Sequence, residues 1–531
     1  MVPGMSASLV DANGRINACD QIIGTSLRRG LADELAILCE TSSVSYGELD
    51  RRTSRFADAL RRAGVTPGER VLIVLKDTPD FISVWLGTIK AGAVSVAVNT
   101  RAAAKDLAFM AADSGCRVLM IEEEFLPVWR QAEATFTGTP PLVLVRGRPD
   151  GVGAVGLDEF QAGAADTFAP YMAAPDEPAF WLYTSGTTGT PKGAVHCHKD
   201  VLIGERHLCE SFGVKPGERI FSSSKLFFAF ALGHCLIGGL RAGASVILYE
   251  GWPDGAAIAE VVARFRPAVM FSVPTFYRNL LQNNLAGQEG FRAVRHYVSA
   301  GEALPESLYQ RWREVTGAPI VEGIGATETI FLAVAGTPAQ HKPGATGRPM
   351  PWAEVRLLDG DDRPVSQPDT PGVLWVKMDS LCQGYWGQPD KTAASFRDGW
   401  YRTGDVFTID ADGWWTHQGR NDDLLKISGQ WVSPTEIEEC AVTVPGVAEA
   451  VVVGAPNAEG LVRLAMFVVA ENGGSEVLEA ALRDKLLGTL SVYKCPRTIL
   501  FVDQLPCTAT GKIQRFRLRQ MAMDAMAANN K

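Results

Sequence analysis

Residues 183–193 read YTSGTTGTPKG: six hydroxyls, three glycines, a proline and a lysine in eleven positions. The apolar run before it, Ala179-Phe180-Trp181-Leu182-Tyr183, reads as a buried strand. The hydroxyls and glycines therefore begin where a strand ends and the chain turns, which is where α/β proteins bind ligands. Gly186 and Gly189 let backbone N–H groups approach an anion, the hydroxyls of Thr184, Ser185, Thr187 and Thr188 donate to phosphate oxygens, and Lys192 adds a full charge. The nucleotide-binding pattern G-x-x-x-x-G-K-[ST] is not matched, because Gly186 and Gly189 are spaced differently and Lys192 is followed by Gly193. The stretch is either another kind of phosphate loop or a flexible solvent loop of similar composition, and context must decide.

Around it, helical and strand patterns alternate. Leu49, Phe56, Ala57 and Leu60 recur at helical spacing from Tyr46 to Gly64, the strand Arg70 to Leu75 follows, then a helix from Asp80 to Ala91 and a strand from Ala93 to Val98. Further strands read at 118–121, 141–145, 246–249, 268–272 and 297–300, which predicts layered α/β sheets, largely parallel. From about residue 350 short strands and turns take over, with Asp412-Gly413 as a hairpin turn, and 350–421 reads as a small β-rich subdomain. Ser433-Pro434-Thr435-Glu436 gives an N-cap, a first-turn proline and a capping-box glutamate, so a helix is expected to start there. The expected division is an N-terminal domain over 1–421 and a compact α+β domain over 422–531.

Composition excludes several classes. With 531 residues, 46% hydrophobic and 21% charged, the chain has an ordinary globular balance, and a net charge of −9 with no long basic run leaves no footprint for nucleic acid. Ten scattered cysteines without a C-x-x-C pair predict reduced thiols. His196-Cys197-His198 does not read as a metal site, since neighbours on a strand point to opposite faces and no second ligand cluster follows. The N-terminal residues lack the charged and apolar regions of a signal peptide, and no apolar run suffices for a membrane span, so a cytoplasmic protein is expected.

Three further clusters sit beside predicted strands or turns. Glu322-Gly-Ile-Gly-Ala-Thr-Glu328 can lay a glycine backbone against a flat ring while Thr327 and Glu328 face a phosphate or its metal. Trp400-Tyr-Arg-Thr-Gly-Asp405 ends in a carboxylate suited to a ribose diol. Pro506-Cys-Thr-Ala-Thr-Gly-Lys512-Ile-Gln-Arg515 places a lysine at a glycine turn near the end of the chain. Singly, each has an ordinary reading as a solvated charge or a turn residue.

In this order, YTSGTTGTPKG, EGIGATE, YRTGD, GR-x-DD-x-x-K-x-x-G and the terminal TGK closely resemble the adenylate-forming superfamily of acyl-CoA synthetases, luciferases and peptide-synthetase adenylation domains, over essentially the whole chain. The resemblance implies that superfamily's fold, a large domain hinged to a small mobile one. It also implies its reaction: ATP with Mg²⁺ converts a carboxylate to an acyl-adenylate, and the thiol of coenzyme A then displaces AMP. The opening stretch becomes the loop over the β and γ phosphates. Lys512 would bridge the substrate carboxylate and the α-phosphate, Glu328 would hold Mg²⁺ and Thr327 would contact the α-phosphate. Asp405, helped by Arg420, would bind the ribose, and Ala300, Gly301, Glu322, Gly323, Ile324 and Gly325 would line the adenine. The pivot of the small domain matches Asp422, and the passage for the thiol matches Lys426 to Gly429.

Within the superfamily, Lys225-Leu-Phe-Phe-Ala-Phe230 and Ser299-Ala-Gly-Glu-Ala-Leu-Pro305 look like the benzoate–CoA ligase branch, including its 2-aminobenzoate (anthranilate) members. Phe228, Ala229, Phe230 and Phe331 match positions lining the acid pocket there, with plain core packing as their other reading. Where the branch has Tyr and His, this chain has Phe230 and Phe331, an apolar wall that argues against a ring substituent needing an outward hydrogen bond. Benzoate and 2-aminobenzoate are therefore expected about equally. A stand-alone adenylation enzyme that loads a carrier protein is the alternative.

Overall fold

A computed structural model describes residues 10–149, 153–185, 191–421, 425–427, 430–456, 462–506 and 513–528. The chain divides into two compact units, residues 1–355 with 376–401, and residues 356–375 with 402–531.

The first unit is built on two sheets. In one the order is Ala154–Gly156, Leu142–Arg146, Val118–Glu122, Arg70–Val74, Val94–Ala97, Pro178–Ser185 and Pro191–Cys197, parallel except for the last strand. The core strands read as continuous apolar runs because both faces are covered: Leu72, Val96, Leu119, Trp129 and Trp181 share one cluster. The other sheet has nine strands, with His296–Ser299 between Val269–Ser272 and Ile320–Ile324. Met270, Tyr277, Tyr297 and Trp312 fill its core. Side-chain caps hold the two helix starts: Ser45 accepts from the Glu48 N–H before Tyr46–Arg62, and Thr78 accepts from the Phe81 N–H before Pro79–Lys90. Two strands run further than the sequence suggested, through Thr184 and Ser185 and through Glu322 to Ile324. The first residues of both motifs are thus held in sheet register.

The second unit contains a hairpin in which Asp405–Ile409, from the strand Trp400–Ile409, pair with Trp415–Arg420, and Gly413 has φ +82° at the expected turn. Its C-terminal part is a three-stranded sheet of Val447–Pro456, Val462–Ala470 and Thr498–Phe501. The run Val451-Val452-Val453 alternates between faces: Val452 packs with Ile437 and Leu482, while Val451 and Val453 pack with Leu518 and Ala522. The sheet is therefore covered on both sides by helices. The helix at Pro434–Ala441 begins as expected, but no capping box forms. The Ser433 hydroxyl donates to the Gln418 carbonyl at 2.6 Å, and Glu436 is taken by Lys494 at 2.6 Å.

Candidate active site

The phosphate-loop stretch forms a hairpin base in which Thr184 is the register partner of Lys192. Gly186, Thr187, Thr188 and Gly189 lie outside the described residues. Beside the return strand runs the segment 383–386, held by three backbone hydrogen bonds: Gln383 N–H to the Val195 carbonyl, Val195 N–H to that of Gly384, and Trp386 N–H to that of Gly193. This pairing sets Tyr385 under Lys192, whose ammonium lies 4.4 Å from the ring centroid. The Tyr385 hydroxyl donates to Glu328 Oε1 at 2.7 Å. Burial, then the Glu328 charge, raises the phenol's pKa, so it stays a proton donor. Glu328 is buried, and its Oε2 has no hydrogen-bond partner among the described residues. One oxygen anchored by a neutral donor and one left over suit a hard cation that also takes phosphate oxygens, so Glu328 fits the Mg²⁺ role.

The backbone behind Glu328 is braced. The Thr327 carbonyl accepts from His196 Nε2 at 2.8 Å, and His196 Nδ1 lies 2.9 Å from Asp200 Oδ2. His198 Nδ1 accepts from the Ala18 N–H at 3.0 Å, and burial lowers its pKa to about 4. Both histidines are thus occupied in holding the chain, and no group of three His, Cys, Asp or Glu among the described residues could hold a metal. Ile330 has φ +56°, a costly conformation for a β-branched residue. Thr329 stabilises it by accepting from the Ala326 N–H at 2.9 Å and donating to the Phe331 carbonyl at 2.9 Å, and Ser380 donates to the Thr329 carbonyl at 2.7 Å.

In the predicted adenine wall, Ala300 is buried just past His296–Ser299 and Gly301 is exposed with φ +89°. Glu322 turns its carboxylate inward: Oε2 accepts from the Leu304 N–H at 3.1 Å and Oε1 from the Thr346 hydroxyl at 2.9 Å, tying the 300–305 turn to the strand. A Cβ at Gly323 would lie 2.5 Å from Leu332 Cδ1 and one at Gly325 2.7 Å from the Phe331 carbonyl oxygen, so both glycines serve the close return of residues 331–332. Ile324, between them, is half-buried.

In the second unit Asp405 and Arg420 are register partners across the hairpin. Asp405 Oδ2 lies 3.1 Å from Arg420 Nη1 and Oδ1 3.3 Å from His417 Nε2. Burial alone would raise its pKa, but the His417 hydrogen bond and the Arg420 charge outweigh it and hold the carboxyl below its usual range. His417 was not picked out from the sequence. Lys512, Asp422 and Gly429 lie outside the described residues, as does the side chain of Lys426, whose backbone belongs to the strand Leu425–Ile427. Next to Lys512, the Gln514 N–H donates to the Pro506 carbonyl at 2.7 Å and Arg515 grips both Glu438 oxygens at 2.8 and 3.1 Å.

Phe228, Ala229 and Phe230 are half-buried at the start of a helix, and the approach to them is fixed by Asp77, which accepts from the Leu226 N–H at 3.2 Å and lies 3.7 Å from Lys225 Nζ. Phe331 is buried. The structure brings Phe230 and Phe331 together around His234, at ring-centroid distances of 5.4 and 5.8 Å. The sequence reading missed His234, although it stands one helical turn past Phe230.

Residues 27–386 match the AMP-binding enzyme family and residues 436–512 the AMP-binding enzyme C-terminal domain. The chain is 51% identical over 510 residues to a 3-hydroxybenzoate–CoA ligase of Aromatoleum sp. (strain CIB), covering 96% of this chain and 97% of the relative. It is 49% identical over 509 residues to a 3-hydroxybenzoate–CoA/4-hydroxybenzoate–CoA ligase of Thauera aromatica, covering 95% and 97%. A crystal structure of an anthranilate–CoA ligase in complex with anthranoyl-AMP superposes with a TM-score of 0.89 at 31% identity, covering 96% of this chain and 98% of that one. The chain belongs to the AMP-binding enzyme family. It is an adenylate-forming acid–thiol ligase with a large N-terminal and a small C-terminal domain.

Proposed function

We propose that this enzyme is an aryl acid–CoA ligase of the AMP-forming kind, taking a benzoate-type acid, ATP with Mg²⁺, and CoA. The observation that carries the reading is the Lys192–Tyr385–Glu328 arrangement, which sets a cation and a buried carboxylate on one tyrosine at the end of the parallel sheet. Similarity over nearly the full length to ligases of aromatic acids supports the substrate class.

The first step joins two anions, so it depends on positioning and charge neutralisation. A carboxylate oxygen of the acid attacks the α-phosphorus and pyrophosphate leaves. Lys192 and the hydroxyls of the preceding loop hold the β and γ phosphates, and Thr327 the α-phosphate. Glu328 would hold Mg²⁺, which would supply charge neutralisation for the phosphate oxygens. Asp405 and Arg420 fix the ribose, and Ala300 to Gly301 with Glu322 to Gly325 flank the adenine. Lys512 balances the two meeting anions. In the second step the CoA thiolate attacks the acyl carbonyl and AMP leaves with the electron pair of the broken C–O bond; the thiol gives up its proton readily enough that no dedicated base is assigned. A turn of the domain 422–531 at Asp422 exchanges the residues presented for the two steps, and Lys426 to Gly429 line the thiol's path. The nine described cysteines are all free, which supports a cytoplasmic setting.

The test is pyrophosphate release over a panel of aryl acids, with and without CoA. Release that depends on an aryl acid, with thioester formed from free CoA, is expected. No response to any aryl acid refutes the substrate class, and product only on a carrier protein makes the enzyme a loading enzyme.

A further inference from the structure

Two histidines near the acid wall have no role in the chemistry above. His207 and His234 are each 1% exposed, and their rings meet edge-on at 5.1 Å. Phe212 and Trp352 lie against His207, and Phe230, Phe271 and Phe331 against His234. In this aromatic nest both nitrogens of His207 and Nε2 of His234 have no hydrogen-bond partner among the described residues. Three such atoms at one place are exceptional in a folded protein and call for a ligand or a trapped water. Both residues also lie in π-helical turns, His207–Ser211 and Leu232–Gly239, a rare conformation associated with functional sites. A Cβ at Gly233 would meet the Ile330 carbonyl oxygen at 2.6 Å, so the glycine beside His234 lets the strained Ile330–Phe331 turn close upon it.

The hydrogen bonding fixes what His234 can offer. Its Nδ1 lies 3.1 Å from the Phe230 carbonyl, which can only accept, so Nδ1 carries the proton and Nε2 presents a lone pair. Burial lowers the pKa of this imidazole to about 4, which keeps it neutral near pH 7. A buried acceptor among rings selects a flat substrate that carries a donor. A phenolic O–H is such a donor, whereas plain benzoate has none and 2-aminobenzoate has one of its two N–H groups engaged by its own carboxylate.

We propose that His234, backed by His207, receives a ring hydroxyl of the acid and makes the preferred substrate a hydroxybenzoate. The proposal rests on the aryl-acid reading above and replaces the expectation, drawn from Phe230 and Phe331, of a wholly apolar pocket. The two relatives named for hydroxybenzoates agree with it.

The test compares kcat/KM for 3- and 4-hydroxybenzoate with that for the corresponding methylbenzoates, which match in size but cannot donate. The parent enzyme should prefer a hydroxyl over a methyl, His234→Phe should lower that ratio by about tenfold or more, and His234→Gln, which keeps an acceptor, should recover part of it. Ratios unchanged within about twofold in His234→Phe, or a parent enzyme that favours methyl, overturn the proposal. Should the variants fail to fold, ¹⁵N-histidine labelling of the parent decides: a hydroxybenzoate should shift an unprotonated imidazole nitrogen signal that benzoate leaves in place. The same signals with both acids would mean a trapped water only. If no benzoate drives pyrophosphate release, the aryl-acid reading itself fails; if benzoates do so with an indifferent ratio, only the role of His234 fails.

Discussion

Glu328 and Asp405, the two carboxylates proposed to serve the nucleotide, are held in opposite ways. Glu328 is balanced by the neutral hydroxyl of Tyr385, whereas Asp405 sits between His417 and the guanidinium of Arg420. A carboxylate with a neutral donor keeps its full negative charge for an arriving cation. One that already faces a guanidinium has its charge offset in place and is suited to neutral hydroxyls, which need a fixed acceptor rather than a field. The difference supports the proposed roles, metal and phosphate for the first and sugar for the second.

The largest expected effect concerns neither carboxylate but Lys512, the cation proposed for the same reaction. Lys512→Ala should slow adenylate formation on the order of 10²–10³-fold. Thioester formation from supplied aryl-adenylate should change far less, as single-turnover assays of each half-reaction can show. Equal losses in both halves would make Lys512 structural. Next, Glu328→Gln keeps the shape and the Tyr385 contact but removes the charge, and kcat should fall on the order of 10²-fold with a raised Mg²⁺ requirement. A change in KM for ATP alone would put Glu328 in the same class as Asp405 and dissolve the comparison. Asp405→Asn should act mainly on KM for ATP, by about tenfold, the scale of one weakened charge-assisted hydrogen bond. A stability loss with ATP dependence intact would reduce Asp405 to a partner of Arg420.

The smallest effect is on stability. Burial pushes the imidazoles of His198 and His234 down to about 4, from an ordinary 6.5. Below 6.5 the unfolded chain takes up protons that the native imidazoles refuse, so stability is full above that value and falls as pH drops towards 4. By about pH 5.5 each should have cost about 1 kcal/mol, visible as a lower urea midpoint than at pH 7. The depressed carboxyl of Asp405 adds a loss in the same direction, in the range below its ordinary value of 3.8. A midpoint independent of pH would mean that water reaches these rings.

Local signals made most of the fold legible. The helix from Tyr46 showed in the spacing of Leu49, Phe56, Ala57 and Leu60, and the Ser45 and Thr78 caps found at the helix starts are likewise local, each made within three residues. The parallel strands were visible as apolar runs. The Ser433 to Glu436 box failed because Lys494, 58 residues from Glu436, offered that glutamate a full charge. The candidate site was visible in the sequence as motifs, at Glu328 and Asp405, and invisible where distant partners surround them. Tyr385 and His417 reach their carboxylates only through strand pairing. His196 was visible but pointed to the wrong question, since its meaning depends on the Thr327 carbonyl 131 residues away. His234 was within reach, four residues after Phe230, but the substitutions at Phe230 and Phe331 drew the eye to an apolar wall.

The central claim is that the acid is activated as an aryl-adenylate, and the fate of its carboxylate oxygens tests this most directly. With a benzoate or hydroxybenzoate labelled with oxygen-18 in both carboxylate positions, turnover with ATP and CoA should deliver one labelled oxygen to each AMP and leave the other in the thioester. Label in pyrophosphate or inorganic phosphate, or AMP without label, would contradict attack of the carboxylate on the α-phosphorus and with it the assignment of this site.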